Sequence, residues 1–507
     1  MIKDFATYKQ ETGGRALLLF LLFGLAIYQF IAAGFSAFAM ICASPLLIIA
    51  IYVAFRWPMA VFWSLCIYNY IVFGLDRNNL MPSGLPVSLV VELLEILLLS
   101  VAIIDARKTP NFERAGNLML YALLCWCGFC TLEVFNDTCG IGINVAAWYQ
   151  GARMLAFQII YAFLVFTIYI NTPKRLFQYI LFWGGLSLFG SLYTLKQKYI
   201  GFSPAESAWL VGSVTHVLQG GTLIRYFSVY SDAANFGEGI ASAAVAFFIF
   251  GITNKINKYR LLFIAIGIFC VWGMFLSGTR TAMGCLGVGI MAYIVLSKSV
   301  RIAVPVTLFF GLAFVFLAFT NIGQGNQQIR RMRSVFNKRD QSANVRSINQ
   351  ETMRKYLREA PWGIGIGINQ TNVPKNNKYT LMSSIPADSH YVFVWIHTGK
   401  IGLITFITTM LLMLSGACWI VLFRIKSSSL QGIGAGMCCA FIAIQVGAYG
   451  NEVLFQFPNC LIYYGGLTLV YTLPFIEKEW IEYEAKELAI QEEKERLKLE
   501  KKKASRV

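Results

Sequence analysis

Residues 261–297 read LLFIAIGIFCVWGMFLSGTRTAMGCLGVGIMAYIVLS, two apolar runs in which Arg280 is the one charged residue. Each run approaches the roughly 20 residues that an α-helix needs to cross the hydrocarbon core of a bilayer. The polar residues between the runs are too few to form anything but a tight turn. The stretch therefore predicts two antiparallel membrane-spanning helices, over 259–276 and 282–297, with Arg280 at the turn that joins them.

The same apolar character extends over the whole chain of 507 residues, of which 57% are hydrophobic and 14% are charged. A soluble domain is usually about 45–50% apolar and about 25% charged. A mean hydropathy of +0.59 leaves too little polar surface to enclose one water-soluble core. Disordered, collagen-like and small disulfide-stapled secreted proteins are excluded by the same composition.

Twelve further segments have a similar length and character, so we predict an all-α polytopic membrane protein with about 14 transmembrane helices. The expected range is 12–14, because Pro45 and small residues blur the boundary between the first two segments. The predicted spans are 16–36, 38–55, 57–73, 85–104, 116–135, 152–170, 177–195, 236–253, 259–276, 282–297, 302–320, 400–423, 431–449 and 454–475.

Short basic connections between the spans decide the predicted orientation. Lys and Arg are concentrated near the N-terminus, at Arg56 and in the segments 105–115, 171–175, 254–260, 298–301 and 424–426. With fourteen spans, all of these fall on one side, which the positive-inside rule makes the cytoplasm. Both termini are then cytoplasmic. The expected organisation is an N-terminal bundle of about 11 spans (1–320), a large periplasmic loop (321–388), C-terminal transmembrane helices (389–476) and a charged cytoplasmic tail helix (477–507).

The chain carries 43 Lys and Arg against 26 Asp and Glu, a formal charge of +17. Most of the excess lies in the short inner connections, whereas the tail is neutral with nine basic and nine acidic residues. The loop 321–388 holds eleven basic and four acidic residues, and its segment 350–360 predicts a basic helix over the membrane. This loop either gathers an anionic donor or acidic glycan, with Arg354 and Arg358 as candidate contacts, or binds lipid headgroups. Nucleic acid is not an expected partner, because topology accounts for most of the charge.

Glu92 and Glu95 lie three residues apart in the predicted span 85–104, and therefore on one face of the helix. Ionisable residues inside a membrane are costly and commonly functional. Two interpretations remain open at this point. The pair forms a proton relay or ion site, as a transporter needs, or it pairs with polar groups inside the bundle.

Two arginines on the predicted outer face are candidate anion ligands. Arg280 stands among hydroxyl side chains in Leu276–Ala282, and a guanidinium offers forked, permanently charged recognition of phosphate. Its alternative role is to anchor the chain at lipid headgroups. Arg225 stands in 221–237, where aromatic, hydroxyl, acidic and amide residues alternate, including Asp232 and Asn235. Such a mixture suits stacking against sugars and hydrogen bonding to them.

The histidines give a weaker indication when they are considered by position alone. His216 lies in the first long outer loop, where we expect a surface role. His390 follows the large loop directly, at the predicted outer face. An imidazole with an ordinary pKa near 6.5 is a suitable base, but a histidine at a membrane boundary is also a common amphipathic anchor.

Three motifs occur in order on this face. The first joins Arg225 to the segment 231–237 (SDAANFG), the second is the segment 277–282 (SGTRTA), and the third is the long loop with 361–367 (PWGIGIG), 389–391 (SHY) and 398–403 (TGKIGL). In order, spacing and sidedness the set resembles the O-antigen ligase/O-antigen polymerase superfamily of bacterial envelope glycosyltransferases. The resemblance covers about residues 215–425.

The resemblance implies an all-helical enzyme of the bacterial inner membrane that takes a glycan from undecaprenyl pyrophosphate at the periplasmic face. Ligases of the family pass the glycan to lipid A-core, and polymerases extend a growing chain of repeat units for O-antigen, capsule or exopolysaccharide. The family's functional set corresponds here to Arg225 and Arg280, as pyrophosphate ligands, and His390, as the catalytic base. The implied reaction is inverting and metal-independent, with no cofactor, and the choice between polymerase and ligase is open.

A transporter or flippase for a lipid-linked oligosaccharide is the alternative from a different class. It predicts inverted internal repeats and a polar path across the midplane, and apart from Glu92 and Glu95 the sequence shows neither. A non-catalytic scaffold is a third hypothesis, in which the tail binds envelope-assembly proteins. That hypothesis leaves the outer arginines and His390 unexplained.

Overall fold

The structure is a computed structural model that describes residues 21, 24, 28, 48–81, 87–105, 111–211, 213, 216–218, 223–297, 304–305, 308, 311–312, 315–316, 318–325, 327–333 and 341–504. The regular secondary structure of the described chain is helical apart from one small antiparallel ribbon, β1 (Val217–Leu218) with β2 (Leu223–Ile224). The helices are α1 (Pro58–Arg77), α2 (Val87–Ile104), α3 (Leu118–Leu132), α4 (Val145–Ala152), α5 (Gln158–Tyr169), α6 (Pro173–Tyr199), α7 (Pro204–Val211), α8 (Ala233–Thr253), α9 (Asn257–Ser277), α10 (Arg280–Ser297), α11 (Gln327–Arg333), α12 (Gln341–Leu357), α13 (Thr380–Ser384), α14 (His390–Trp419), α15 (Ser428–Gly450) and α16 (Asn459–Ala504).

Ten stretches of the described chain are helical, long and apolar enough to cross a membrane. They are Pro58–Arg77, Leu118–Phe135, Val145–Tyr169, Pro173–Tyr199, Ala233–Thr253, Asn257–Ser277, Arg280–Ser297, His390–Arg424, Ser428–Gly450 and Asn459–Lys494. Each corresponds to one predicted span, and α2 corresponds to the predicted span 85–104. The predicted spans 16–36 and 38–55 fall mostly outside the described residues, and about half of the span 302–320 does so. The all-α membrane class is confirmed, and the count of about 14 stays a prediction.

Helix α8 is the centre of the bundle and packs against α9, α10 and α15. Its sequence, AANFGEGIASAAVAFFIFGIT, is rich in Ala and Gly, which let neighbouring helices approach closely. Almost every residue from Ala233 to Gly251 is buried. Because α8 begins with the first motif, its position in the core fixes that motif against the surrounding helices.

The last helix, α16, continues through the predicted boundary between bundle and tail at residue 477. Trp480 Nε1 donates to Ser429 Oγ over 3.0 Å, and Lys255 Nζ lies 2.7 Å from Glu484 Oε2. The first turns of the predicted tail are therefore docked on the bundle, at the end where α8 and α14 finish.

Helix α14 contains a break at Gly399, whose φ of 64° and ψ of −166° are not helical. The segment 361–367 returns from the large loop and pairs with the chain just before this break. Ile364 N donates to Ile396 O over 2.9 Å, and Gly365 N donates to His397 O over 3.1 Å. A Cβ on Gly363 would lie 2.5 Å from Gly399 N, so the repeated glycines permit tight contact between two backbones.

The two acidic residues of α2 have different surroundings. Glu92 Oε2 lies 3.1 Å from Arg153 Nη1, and Glu92 Oε1 accepts a hydrogen bond of 2.9 Å from the Tyr149 hydroxyl. Glu92 thus pairs with polar groups inside the bundle, which is the second of the two interpretations drawn from the sequence. Glu95 is fully buried, and no described residue donates a hydrogen bond to its carboxylate.

Candidate functional site

The second motif forms the turn between α9 and α10. Gly278 ends α9 in the left-handed region, with φ 60° and ψ 20°, and α10 begins at Arg280. Thr279 Oγ1 donates to Ala233 O over 2.8 Å, which attaches the turn to the first residue of α8. The turn is thus fixed against the helix that follows the first motif, and it presents Arg280 at the N-terminal end of α10.

Arg225 also binds this turn. Its Nη2 donates to Thr279 Oγ1 over 2.9 Å, and its Nε donates to Ser277 O over 3.3 Å. The pKa of the Arg225 guanidinium is lowered, mainly because the group is buried. The carboxylates of Asp232 and Glu238 act to raise this pKa, and the positive charges of Arg280 and Arg346 act to lower it. The structure therefore brings the first two predicted motifs together around one turn, although Arg225 and Arg280 are 55 residues apart in the chain.

Asp232 and Asn235 hold the start of α8. Asp232 Oδ1 accepts hydrogen bonds from Ala234 N at 2.7 Å and Asn235 N at 2.9 Å, so Asp232 is the N-cap of this helix. Asn235 is fully buried, and its Nδ2 donates to Phe457 O over 2.7 Å. Both side chains thus hydrogen-bond within the protein, close to the turn that Arg225 binds and that carries Arg280.

His216 is buried, in contrast to the expected surface role. Its Nε2 accepts a hydrogen bond of 3.1 Å from Ala233 N, and its Nδ1 lies 2.6 Å from Ser213 Oγ. Burial, and then the positive charge of Arg225, lower the pKa of His216 to about 4. A neutral His216 therefore stabilises the start of α8, a role that needs the fold to bring residues 216 and 233 together.

The segment 451–458 between α15 and α16, which we term the α15–α16 connection, joins the motifs and was not identified from the sequence. Asn451 Nδ2 donates to Glu238 Oε1 in α8 and, over 3.3 Å, to Thr281 Oγ1 in α10. Thr281 Oγ1 also donates to Glu238 Oε1, so a buried carboxylate links the two helices that carry the first and second motifs.

His390 is the first residue of α14 and contacts the same connection. Its ring centroid lies 5.1 Å from that of Phe455 and 5.3 Å from that of Phe406. Ser389, the preceding residue, donates from Oγ to Ala448 O over 3.2 Å. The imidazole is buried among aromatic rings, and no residue in the described part of the chain hydrogen-bonds its Nδ1.

Carboxylates gather beside His390 and the arginines. Glu452, in the α15–α16 connection, lies close enough to Asp388 and Asp232 for electrostatic repulsion by their negative charges. Burial and then these two charges raise the pKa of Glu452 to about 7. Asp388 has a φ of 51°, an unusual conformation for a residue with a side chain, directly before Ser389. Glu452 thus joins the site as an acid that titrates near neutral pH.

The segment 321–388, which was predicted as the large periplasmic loop, reaches the same end of the bundle with two arginines. Arg331 Nε in α11 donates to Gly278 O, and Arg346 Nη2 in α12 donates to Gly450 O over 2.9 Å. Arg354 and Arg358, the candidates taken from the sequence, are exposed. The sequence did not distinguish Arg331 and Arg346 from the other basic residues of that loop, which number eleven in all.

Residues 265–407 match the family model described as O-antigen ligase. The matched segment contains the Arg280 turn, the segment 321–388 and His390, and it begins after Arg225. A search of curated proteins found no match to this chain. The ten apolar helices of the described chain, together with the family match, indicate a membrane protein of the bacterial envelope. The match confirms the resemblance drawn from the motifs and supports assignment of this chain to the O-antigen ligase and polymerase superfamily.

Proposed function

We propose that this protein transfers a glycan from an undecaprenyl pyrophosphate carrier to an acceptor sugar at the periplasmic face of the inner membrane. It acts either as a polymerase of repeat units or as an O-antigen ligase onto lipid A-core. The observation that carries the proposal is the convergence of Arg225 and Arg280 on one turn, with His390 joined to that turn through the α15–α16 connection. The family match supports the same class of reaction.

The arginines suit the departure of the diphosphate. When the bond between the anomeric carbon and the phosphate oxygen breaks, negative charge develops on the leaving group. Fixed cations aimed at that charge lower the barrier, because they need no reorganisation during the reaction. The Arg225 side chain is held by Ser277 and Thr279, so its charge is preorganised at the turn that carries Arg280.

His390 suits the activation of the acceptor. The attacking hydroxyl must lose its proton, and a neutral imidazole can take it in the transition state. Aromatic contacts with Phe406 and Phe455 fix the position of the ring. Direct attack from the face opposite the leaving diphosphate inverts the anomeric centre. In this mechanism, arginine side chains stabilise the leaving group, and no step passes through a metal ion or a cofactor.

The proposed orientation has both termini in the cytoplasm and the site in the periplasm. Several of the basic connections contact one another at the end of the bundle opposite the site. These contacts support the proposal that the basic connections all lie on one side of the membrane. Arg114 Nη1 donates to Asn171 O over 2.9 Å, and Lys426 N donates to Glu477 Oε1 over 2.6 Å. By the positive-inside rule this end faces the cytoplasm.

Reconstitution of the full-length protein with a polyprenyl-pyrophosphate oligosaccharide tests the proposal. Growth of the glycan without lipid A-core indicates a polymerase, and transfer only when lipid A-core is present indicates a ligase. Transbilayer movement of the donor with neither product would favour the transporter and contradict the proposal. Arg280→Gln, Arg225→Gln and His390→Gln should each abolish transfer in protein that still melts cooperatively, with Lys375→Gln, which removes an exposed charge from segment 321–388, as the control.

A further inference from the structure

One acidic residue inside the bundle has no part in the mechanism proposed above. Glu95 is the ninth of the 18 residues of α2, and none of its surface is exposed. Both of its carboxyl oxygens lack a hydrogen-bond donor in the part of the chain that the structure describes. If Glu95 were ionised, it would be a buried charge with neither a counter-ion nor a hydrogen bond from these residues, which is a strongly unfavourable arrangement.

Glu92, on the same face of α2, provides an internal comparison. Arg153 Nη1 lies 3.1 Å from Glu92 Oε2, and the Tyr149 hydroxyl donates to Glu92 Oε1 over 2.9 Å. The same guanidinium also donates from Nη2 to Ser88 Oγ over 2.7 Å. Glu92 is therefore an ion-paired carboxylate with two hydrogen-bond donors, whereas Glu95, three residues further along the helix, has none in the described chain.

The groups that face Glu95 from neighbouring helices bring no positive charge to it. Three of them lie close enough for the charge of Glu95 to act on them, namely Cys66 of α1, Tyr161 of α5 and Cys460 of α16. They are two thiols and a phenol. The charge that acts on Glu95 from its own helix is that of Glu92, which has the same sign. Among the described residues, Glu95 thus has no counter-charge.

Two buried amides in this region also have an unused polar atom. Asn69 of α1 donates from Nδ2 to Pro458 O over 3.2 Å, but its Oδ1 accepts no hydrogen bond within the described chain. Gln158 of α5 has no acceptor for its Nε2 among the same residues. Asn69 lies one helical turn from Cys66, and Gln158 and Cys460 line one small space between α5 and α16. Both amides therefore belong to the surroundings of Glu95.

These unused atoms are the ones that a neutral carboxylic acid and one water molecule satisfy together. A protonated carboxyl has an O–H donor and a carbonyl acceptor, whereas a carboxylate has acceptors alone. A water that accepts from the Glu95 hydroxyl and from Gln158 Nε2 has two hydrogens left, one of which suits Asn69 Oδ1. Ordered buried waters typically make about three such bonds. A carboxylate would instead add further acceptors beside Asn69 Oδ1, so the set favours the acid.

We propose that Glu95 is a proton-binding site within the bundle, a neutral carboxylic acid that shares a bound water with Asn69 and Gln158. Of the two roles considered for the acidic pair from the sequence, pairing describes Glu92 and proton binding describes Glu95. The site lies behind the α15–α16 connection, because Asn69 holds Pro458 at the end of that connection. It is independent of the glycan-transfer mechanism and stands or falls separately from it.

Infrared difference spectroscopy of the purified full-length protein tests the proposal, because a protonated carboxyl and a carboxylate have separate stretching bands. The spectrum of Glu95→Gln is subtracted from that of wild type at neutral and at mildly alkaline pH. We expect the loss of one protonated-carboxyl band, equal at both pH values. Loss of carboxylate bands instead would overturn the proposal. Glu493→Gln, at an exposed position of α16, is the control and should lose carboxylate bands alone.

Thermal unfolding of the same variant provides a second measurement. Gln has nearly the shape of a neutral carboxylic acid and keeps both a donor and an acceptor, so Glu95→Gln should fold and melt close to wild type. A variant that fails to fold would contradict a neutral Glu95.

The shared water is tested with Asn69→Leu and Gln158→Leu, each of which removes one polar partner at similar volume. Both should shift the carbonyl band of Glu95 to higher frequency, because its hydrogen bonding is weakened. An unchanged band in both variants would show that Glu95 is hydrogen-bonded elsewhere and would overturn the shared site.

A sodium ion is the competing ligand, since a carboxylate and an amide oxygen also suit a hard cation. Replacing sodium by choline in the buffer distinguishes the two. The protonated-carboxyl band of Glu95 should be the same in both buffers. A carboxylate band that is lost in Glu95→Gln and that shifts when sodium is removed would assign the site to the cation and refute proton binding.

Discussion

Glu238 offers the sharpest test of how the site is held together. It is fully buried in α8, and its Oε1 accepts hydrogen bonds from Thr281 Oγ1 and Asn451 Nδ2. Gln at this position keeps an acceptor oxygen and the shape of the side chain, but it removes the charge. Ala removes the acceptor altogether and leaves two buried donors without a partner. The pair of variants therefore separates the charge of Glu238 from its hydrogen bonds.

The expected magnitudes follow from these two bonds. A buried donor left unsatisfied costs about 1–3 kcal/mol, so two such donors make Glu238→Ala less stable by about 2–6 kcal/mol. Glu238→Gln should stay within about 1–2 kcal/mol of wild type, because weaker hydrogen bonds are offset by relief from burying a charge. Thr281 directly follows Arg280, and misplacing a catalytic group by about 1 Å costs roughly 100-fold in rate. Glu238→Ala should therefore lose about 100-fold in kcat, and Glu238→Gln less than about tenfold.

The assays are thermal unfolding of the purified protein and glycan transfer in proteoliposomes. Thr281→Val serves as the control, because it removes one of the two donors and keeps the shape of the side chain. Its stability and rate should fall between those of wild type and Glu238→Ala. If Glu238→Ala matched wild type in both measurements, or if Glu238→Gln were as impaired as Glu238→Ala, Glu238 would not position the Arg280 turn through these bonds.

Three more predictions concern the same site and the loop that reaches it. His390→Gln should lower transfer by about 100-fold or more while pyrophosphate affinity stays within about twofold, because the base acts on the acceptor; a matching loss of affinity would contradict that role. Folding raises the pKa of Glu452 from 4.5 to about 7, so between these pH values Glu452 binds more protons in the folded state than in the unfolded state. The free energy of unfolding should therefore fall as the pH rises from about 4.5 to 7. Glu452→Gln should remove that fall, as measured by thermal unfolding at a series of pH values. Gly399→Ala should prevent correct folding, because Gly399 has a φ of 64° and a Cβ there would overlap Pro361 O. Gly185→Ala is the control, since no atom lies within 4 Å of the position of its Cβ, and it should fold normally. Size-exclusion chromatography of the two purified variants distinguishes folded from aggregated protein.

Hydropathy predicted the spanning helices well, since a continuous apolar run has one stable arrangement in lipid. Hydropathy misplaced the start of a helix whose apolar content changes along its length. Helix α14 begins at His390, ten residues before the predicted start at 400, because Gly399 and the polar residues before it lower the local apolar content. The packing of the segment 361–367 keeps that first part helical, and this contact is not visible in a local sequence window.

The candidate residues of the three motifs were identified from the sequence, but the groups that hold them were not. Residues 454–458 fell within a predicted span, because Val453, Leu454 and Phe455 are apolar, whereas the structure places them in the connection before α16. Glu238 did carry a usable signal, since it is an acidic residue inside a predicted span. Its partners, Thr281 and Asn451, lie 43 and 213 residues away, and only the folded bundle brings them together.

The arrangement of helix ends explains why weak motifs combine into one site. Helices α8, α10 and α14 begin within or next to the three motifs, and all three begin at the same end of the bundle. The N-terminus of a helix carries a partial positive charge, so each motif adds a helix end as well as a side chain. The α15–α16 connection hydrogen-bonds to α8 and α10 and packs on His390 of α14. Anion recognition then depends on how this end of the bundle is packed, and a change in the connection should weaken pyrophosphate binding even where every arginine is intact.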